Sequence, residues 1–475
     1  MKLLTLIISL VLFQSIYTYK EEDKVQSLPD YAYNGTLYSG YLDVSDIKKF
    51  HYMLNIAEGD AEKKPLVVWF NGGPGCSSLD GWANEHGPML LDDDGNFQLN
   101  NYSWVKEANM LYIESPGNVG FSYINSTSEN DTKANDNITA SDNLNAVIDF
   151  FKKFPSFKNY DFYISGESYA GVYVPTLAYK ILEYNNQTEE ANKINLKGIL
   201  VGNGVADWDY DDNLAMIDFA FTHHFISYEQ RLEFNHYCYT NASFNLTKCF
   251  EIIEDLYYHT LNGVNIYDYL RECKVPKKLR GGKNSNNKYF LYAPWFFKRN
   301  KAKYDIDNIL KLNEGEEESD DSSNISPCFD DTKFENYFNR KDVQEAIHAT
   351  PVNGTFVTCS ESILYNYLRQ DEGSIWTYPT LIKAGLRILI YSGDTDMVVP
   401  FNGNQLWIKK KLGLKIKEPW RQWRAYGDKN NVSGYVTYYE GLTFCTIKGV
   451  GHMPPGWKPR ETYYMFSKFL RDETL

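Results

Sequence analysis

The residues best placed to do chemistry are one serine and two partners far downstream. Phe162-Tyr163-Ile164-Ser165-Gly166-Glu167-Ser168-Tyr169-Ala170-Gly171 runs from an apolar, aromatic stretch into Gly-Glu-Ser-Tyr-Ala-Gly, and a helical pattern follows over Val172–Tyr184. A strand, a sharp turn and a helix with Ser168 at the apex make a nucleophile elbow. Small residues two before and two after the serine let the backbone bend and present the hydroxyl. Here they are Gly166 and Ala170. On its own such a stretch also occurs in ordinary loops. A serine hydroxyl is a weak nucleophile that needs a base, a carboxylate to orient the base, and donors for the oxyanion.

The C-terminal part of the chain supplies the partners. Leu386-Arg387-Ile388-Leu389-Ile390-Tyr391 reads as a buried strand ending in the acidic loop Ser392-Gly393-Asp394-Thr395-Asp396. Leu442-Thr443-Phe444-Cys445-Thr446-Ile447 reads as another, leading into Gly449-Val450-Gly451-His452-Met453-Pro454-Pro455. Of the histidines only His452 stands on so rigid a strand-end loop. Serine, acid, histidine is the chain order of the α/β-hydrolase arrangement. The oxyanion donors would be the amide after the nucleophile, Tyr169, and one from an early strand-end loop. Pro65–Phe70 is that strand and Asn71-Gly72-Gly73-Pro74-Gly75-Cys76-Ser77-Ser78 that loop, its glycines allowing close backbone approach.

Those loops need a sheet to hold them. Apolar strand-like runs recur at Val67–Phe70, Met110–Ile113, Phe162–Ile164, Leu196–Val201, Arg387–Tyr391 and Phe444–Ile447. Helical patterns lie between them, at Ala140–Phe154, Val172–Tyr184, Asp342–Ala349, Asn402–Leu412 and Arg460–Leu470. This alternation predicts an α/β fold with a mainly parallel central sheet and helices on both faces. It stops between Asp207 and Ser323, where four aromatic-rich helical stretches, a basic loop (Lys277-Lys278-Leu279-Arg280) and an acidic run (Glu314–Asp321) read as a largely helical cap inserted over the site. The expected organisation is a signal peptide over 1–18, hydrolase core over 19–206, cap over 207–323 and core again over 324–475. The signal peptide is Lys2, a short apolar run Leu3–Phe13, then small polar residues. No other stretch is apolar for long enough to span a membrane.

The net charge of −14 argues against nucleic-acid binding and suits an acidic compartment, where self-repulsion falls. Seven cysteines in a secreted chain suggest three disulfides and one left over, in a pairing the residues alone leave open. No Cys-x-x-Cys or Cys/His cluster points to a metal, and no cofactor is expected. Sequons stand at Asn34, Asn101, Asn125, Asn130, Asn137, Asn186, Asn241, Asn245, Asn324, Asn353 and Asn431.

Taken together, WFNGGPGCSS, SPGNVGFSY, SGESYAG, YSGDTDMVVP and KGVGHMPP resemble the serine carboxypeptidases, from about Leu28-Pro29 to the C-terminus. The resemblance implies Ser168 as nucleophile, Asp396 (not Asp394) as acid, His452 as base and the Gly73 and Tyr169 amides as oxyanion donors. It implies Asn71, Gly72, Glu85 and Glu167 as receptors of a substrate carboxylate. It also implies disulfides Cys76–Cys359, Cys238–Cys249 and Cys273–Cys328, with Cys445 unpaired. Val399 and Met453 would stand beside the pocket for the leaving residue, giving a preference for apolar C-terminal residues. Two positions depart from the family: His86 where Leu is usual, beside a binding carboxylate, and Asp30 where Gly is usual. The implied activity is release of single residues from peptide or protein C-termini through an acyl-enzyme at acidic pH, in the secretory pathway, a lysosome or vacuole, or outside the cell. Acyl transfer with the same triad and a protective or scaffolding glycoprotein are the other readings. The family also allows a homodimer and a cleaved two-chain form, cut near Gly281–Ser323.

Overall fold

The computed structural model describes residues 20–211, 213–238, 245–261, 263–273, 328, 331–351 and 354–475. The signal peptide, the basic loop, the acidic run, the cleavage region and the sequons at Asn241, Asn324 and Asn353 lie outside the described residues. The sequon asparagines within them, at 34, 101, 125, 130, 137, 186, 245 and 431, are all exposed.

The strands are β1 (Leu37–Asp43), β2 (Lys48–Asn55), β3 (Leu66–Phe70), β4 (Met89–Leu91), β5 (Phe97–Leu99), β6 (Asn109–Ile113), β7 (Tyr123–Ile124), β8 (Phe162–Glu167), β9 (Leu196–Gly202), β10 (Arg387–Gly393), β11 (Ile416–Trp423), β12 (Gly434–Tyr439) and β13 (Leu442–Ile447). All but β4 and β5 form one sheet in the order β1-β2-β6-β3-β8-β9-β10-β13-β12-β11, with β7 paired to β2. The six central strands, β6 to β13 in that order, run parallel. The margins are antiparallel: β1, β2 and β7 on one side, β12 and β11 on the other.

The parallel strands read as unbroken apolar runs because both of their faces are covered. Their alternate residues sort into two cores. Val68, Phe70, Leu111, Ile164, Ile199, Val201, Ile388, Ile390 and Phe444 pack with the helices Asp136–Lys153 and Ala170–Gln187. Val67, Trp69, Met110, Tyr112, Leu200, Leu389, Tyr391, Cys445 and Ile447 pack on the other face with Met465, Phe466 and Phe469 of the helix Pro459–Leu470. The strand-end loops carrying the chemistry are thereby held at the carboxyl edge of the parallel strands, where open α/β sheets place their sites.

The segment between β9 and β10 carries the helices Asn213–Thr222, Tyr228–Cys238 and Leu246–Asp255. They build a third cluster from Ile217, Phe219, Phe234, Ile253 and Leu256, and Met397 of the acidic loop belongs to it. Among the described residues no helix is long and apolar enough to cross a membrane.

Candidate active site

The elbow is built by close approach. Ser168 has φ of 62°, the left-handed region that costs a non-glycine residue strain, which the surrounding packing must hold. Its amide donates to Gly202 O at 3.1 Å, and its carbonyl accepts from Gly171 N at 3.0 Å and Val205 N at 3.1 Å. A Cβ on Gly166 would fall 2.7 Å from Ala170 Cβ, so the positions before and after the serine must both be small.

The acid and histidine loops leave neighbouring parallel strands, β10 and β13. His452 Nδ1 lies 2.7 Å from Asp396 Oδ2. Asp396 is fully buried and also accepts from Val398 N at 2.8 Å and Val399 N at 3.3 Å. Asn203 Nδ2 donates to Asp396 Oδ2 at 2.7 Å, while Asn203 Oδ1 accepts from Gly393 N at 3.0 Å. Asp394 turns the other way and accepts from Gly449 N at 2.6 Å. His452 Nε2 is buried without a hydrogen-bond partner among the described residues. The bond from Ser168 to that nitrogen is not made; in enzymes of this design it often tightens only with substrate.

The loop after β3 meets the elbow directly. A Cβ on Gly72 would fall 2.7 Å from Ser168 Cβ and would run into Tyr169 N. Gly73 has φ of 108° and precedes a cis proline. The loop is pinned by Ser78 Oγ, which donates to Ile113 O at 2.6 Å and accepts from Asn71 N at 3.2 Å. Ser77 Oγ donates to buried Glu114, which also accepts from Phe121 N at 2.9 Å and lies 2.8 Å from His51 Nδ1.

Next to the elbow lies a pair of buried carboxyls. Asn71 Nδ2 donates to Glu85 Oε1 at 3.3 Å and to Glu167 Oε1 at 3.2 Å. The Asn71 amide is held this way round because its Oδ1 accepts from Trp69 Nε1 at 2.7 Å and Gly81 N at 3.0 Å. Glu85 Oε2 and Glu167 Oε2 are buried with no donor among the described residues. Both acids titrate well above the usual carboxylate range. Burial is the main cause for each, with the Asp80 charge adding to it for Glu85 and the Glu85 and Asp80 charges for Glu167.

A nucleophile elbow, a buried His–Asp pair, a glycine loop against the elbow and two proton-holding carboxyls make a site suited to acyl chemistry on a substrate that carries a carboxylate. Residues 29–472 match the family model "Serine carboxypeptidase". The chain belongs to the serine carboxypeptidases. This serine carboxypeptidase is 36% identical to serine carboxypeptidase-like 33 of Arabidopsis thaliana, covering 100% of this chain and 96% of that protein. It is 35% identical to serine carboxypeptidase 1 of Hordeum vulgare, covering 95% and 94%. Its fold matches that of Kex1(Δ)p, a prohormone-processing carboxypeptidase from Saccharomyces cerevisiae, with a TM-score of 0.72 at 21% identity over 96% of this chain and 97% of the other. The α/β-hydrolase fold and a serine-type hydrolase are thereby established.

Other site residues sort differently in space from their order in sequence. Val399 is fully buried in the first core, its amide committed to Asp396. Met453 is half-buried beside His452. His86 turns away from the carboxyl pair into an aromatic stack, 4.2 Å from Trp104 and 4.4 Å from Trp69 between ring centres, with Nδ1 3.1 Å from Tyr112 OH. Burial drives its titration well below the usual histidine range. Asp30 has φ of 57°, which explains why glycine suits that position, and pairs with Arg340.

Sequence reasoning missed two contributors. Asn203, flanked by Gly202 and Gly204 at the end of β9, was visible only as a polar break in an apolar run. Residues 266–269 of the insert were not visible at all. Tyr267 O accepts from His452 N at 2.7 Å, Ile266 O from Met397 N at 2.9 Å, and Asp268 Oδ1 from Thr395 Oγ1 at 2.7 Å.

The structure pairs Cys76 with Cys359, Cys238 with Cys249 and Cys273 with Cys328, leaving Cys445 a buried thiol. Cys76–Cys359 links positions 283 apart, and Ser77 N to Thr358 O and Ser360 N to Gly75 O, both 2.8 Å, continue the same seam. Closing so long a loop contributes roughly 5–6 kcal/mol in the chain-entropy account. Replacing both cysteines by serine is expected to lower the melting temperature and most of the activity together. An unchanged melting curve with full turnover would show that the loop is held without the link.

Proposed function

We propose that the enzyme releases single residues from peptide C-termini through an acyl-enzyme. Ser168 attacks the last peptide carbonyl while His452 Nε2 takes its proton, and His452 then returns that proton to the leaving amine. Asp396 holds the imidazole with Nδ1–H toward itself and stabilises its charged form. The Gly73 and Tyr169 amides receive the oxyanion, and water then cleaves the ester by the reverse proton route. Asn71, Gly72, Glu85 and Glu167 receive the substrate's terminal carboxylate. The insert between β9 and β10 acts as a cap over this site. The leader-like N-terminus and paired cysteines favour the secretory pathway, ending in a lysosome or vacuole or outside the cell.

The observation that carries the reading is the pair of proton-holding carboxyls beside the elbow. A protonated carboxyl donates a hydrogen bond to an incoming carboxylate, whereas an ionised pair repels it. Both groups are raised above the ordinary glutamate value of 4.5, so the protonated form persists above that pH and is lost as pH rises through the raised values. KM for a blocked dipeptide is expected to stay low from about pH 5 through neutrality and to climb as pH rises past about 8, where Glu85 gives up its proton, while that for the matching C-terminal amide changes little. A peptide KM that stays flat past that pH would contradict the assignment of Glu85 and Glu167. Turnover of sugar esters without peptide release would assign the triad to acyl transfer instead.

A further inference from the structure

Next to the glycine loop lies a buried acid–base pair that the proposed chemistry does not use. Glu114 directly follows β6, His51 belongs to β2, and both are fully buried. Their backbones are paired, His51 O accepting from Glu114 N at 3.0 Å, and His51 Nδ1 stands 2.8 Å from Glu114 Oε2. Among the described residues His51 is the ion-pair partner of Glu114, and no Lys or Arg takes that place. A Cβ on Gly120 would fall 1.7 Å from Glu114 Oε1, so the loop after β6 closes tightly around the carboxyl.

The hydrogens of this network can be placed one at a time. Ser39 Oγ lies 2.7 Å from Ile347 O, and a carbonyl only accepts, so the hydroxyl hydrogen is committed there. Ser39 Oγ can then only accept from His51 Nε2, 2.9 Å away, which puts a proton on Nε2. Glu114 Oε1 accepts from Ser77 Oγ, and Oε2 accepts from Phe121 N at 2.9 Å. The contact between Nδ1 and Oε2 needs a proton as well. The ring is therefore an imidazolium that donates through both nitrogens, and Glu114 accepts three bonds, the set that favours an ionised carboxylate.

One of those three bonds leads to the site. Ser77 follows Cys76, whose amide closes a turn on Gly72 O at 3.0 Å with Gly73 inside it. Ser77 Oγ accepts from Leu79 N at 3.2 Å and Ser77 O from Asp80 N at 3.1 Å, so Glu114 holds the point where the glycine loop passes into the next turn. Asn71 is held instead through Trp69, Gly81 and Ser78, and it carries the carboxyl pair by bonds that do not pass through Glu114. We infer that His51 is a positioning residue: as a buried cation it fixes the Glu114 carboxylate on Ser77 Oγ and so sets the Gly73 amide where the oxyanion forms. The inference rests on the reading of Gly73 as an oxyanion donor. Without the cation, Glu114 is a buried charge with no counter-charge, which takes up a proton or turns from Ser77 and loosens the loop at Gly73. An oxyanion donor acts on the transition state, so the loss falls on kcat, while the groups that receive the substrate carboxylate keep their bonds.

The test is kcat and KM at pH 5.5 on one blocked dipeptide for the wild type, His51→Asn, His51→Gln, Ser77→Ala and the double variant His51→Gln/Ser77→Ala, each checked by thermal melting. An Asn amide stands near the place of Nδ1 and can still donate to Glu114, whereas a Gln amide stands near the place of Nε2 and serves Ser39. A fall in kcat of about tenfold or more is expected in His51→Gln and Ser77→Ala, a smaller fall in His51→Asn, and KM within about twofold throughout. The double variant should be no worse than Ser77→Ala alone. Equal losses in His51→Asn and His51→Gln, a KM that rises as kcat falls, or losses that add in the double variant overturn the inference and leave peptide release standing. Where the His51 variants do not fold, Ser77→Ala and the nitrogen-15 shifts of the wild-type His51 ring decide. A fall in kcat at constant KM with both ring nitrogens protonated supports the route, and an unmoved kcat or a neutral ring overturns it. No release of the final residue by the wild type overturns the proposed function, and this inference falls with it.

Discussion

Ser168→Ala is expected to lower kcat for a blocked dipeptide by roughly a million-fold, with the melting temperature and disulfide pattern of the wild type. The alanine keeps the elbow, since the strained φ and the three backbone bonds at residue 168 do not involve the hydroxyl. What disappears is the atom proposed to carry the acyl group, so His452, Asp396 and the oxyanion donors would have nothing to activate. Binding of the terminal carboxylate should survive, leaving a variant that takes up peptide without turning it over. A burst of amine release from the wild type and none from the variant would show the acyl-enzyme directly. Turnover within tenfold of wild type would place the nucleophile elsewhere.

Asp396→Asn should cost about ten-thousand-fold, and Asp394→Asn only a few-fold. Both Asp396 oxygens accept: Oδ2 from Asn203 Nδ2 and His452 Nδ1, Oδ1 from Val398 N. An asparagine must turn its NH2 toward one of these donors. Facing His452 it forces the imidazole into the tautomer that cannot take the serine proton, and facing Val398 it sets two donors against each other. Asp394 accepts from Gly449 N through one oxygen, which an amide oxygen can replace. The two single variants, assayed on the same dipeptide at pH 5.5, decide between adjacent acids of one loop. Equal losses would mean that loop geometry and not the His452 contact is being measured.

The residues proposed to react were legible because Ser168 and His452 stand on strand-end loops framed by glycine or proline, while the loop after β10 offered both Asp394 and Asp396 and only the family resemblance singled out Asp396. The order serine, acid, histidine carries the topology. The central sheet was legible for a related reason: strands covered on both faces become unbroken apolar runs. The antiparallel margins were not. β11, Ile-Lys-Glu-Pro-Trp-Arg-Gln-Trp, is exposed over most of its length, and neither its composition nor its alternation separates it from a loop. Asn203 acquires its role from a partner 193 positions away, a relation no local pattern encodes. His86 shows the opposite error. Its adjacency to Glu85 suggested a place in the site, but successive residues of a helical turn point in different directions, and its ring went into the aromatic core.

The insert between β9 and β10 reaches the loops that carry Asp396 and His452. Its residues 266–268 accept the His452 amide, take the Met397 amide and hold Thr395, while its apolar cluster includes Met397. The base and the acid loop are thus stitched to a segment that precedes both in the chain and lies outside the sheet. Local opening of that segment would free the His452 amide and loosen the acid loop in the same event, so the three form one cooperative unit. The working lifetime of the His–Asp pair is then set by the free energy of that opening and not by the global stability of the sheet. A stretch outside the sheet, without regular secondary structure, thereby helps to keep the proposed base in register.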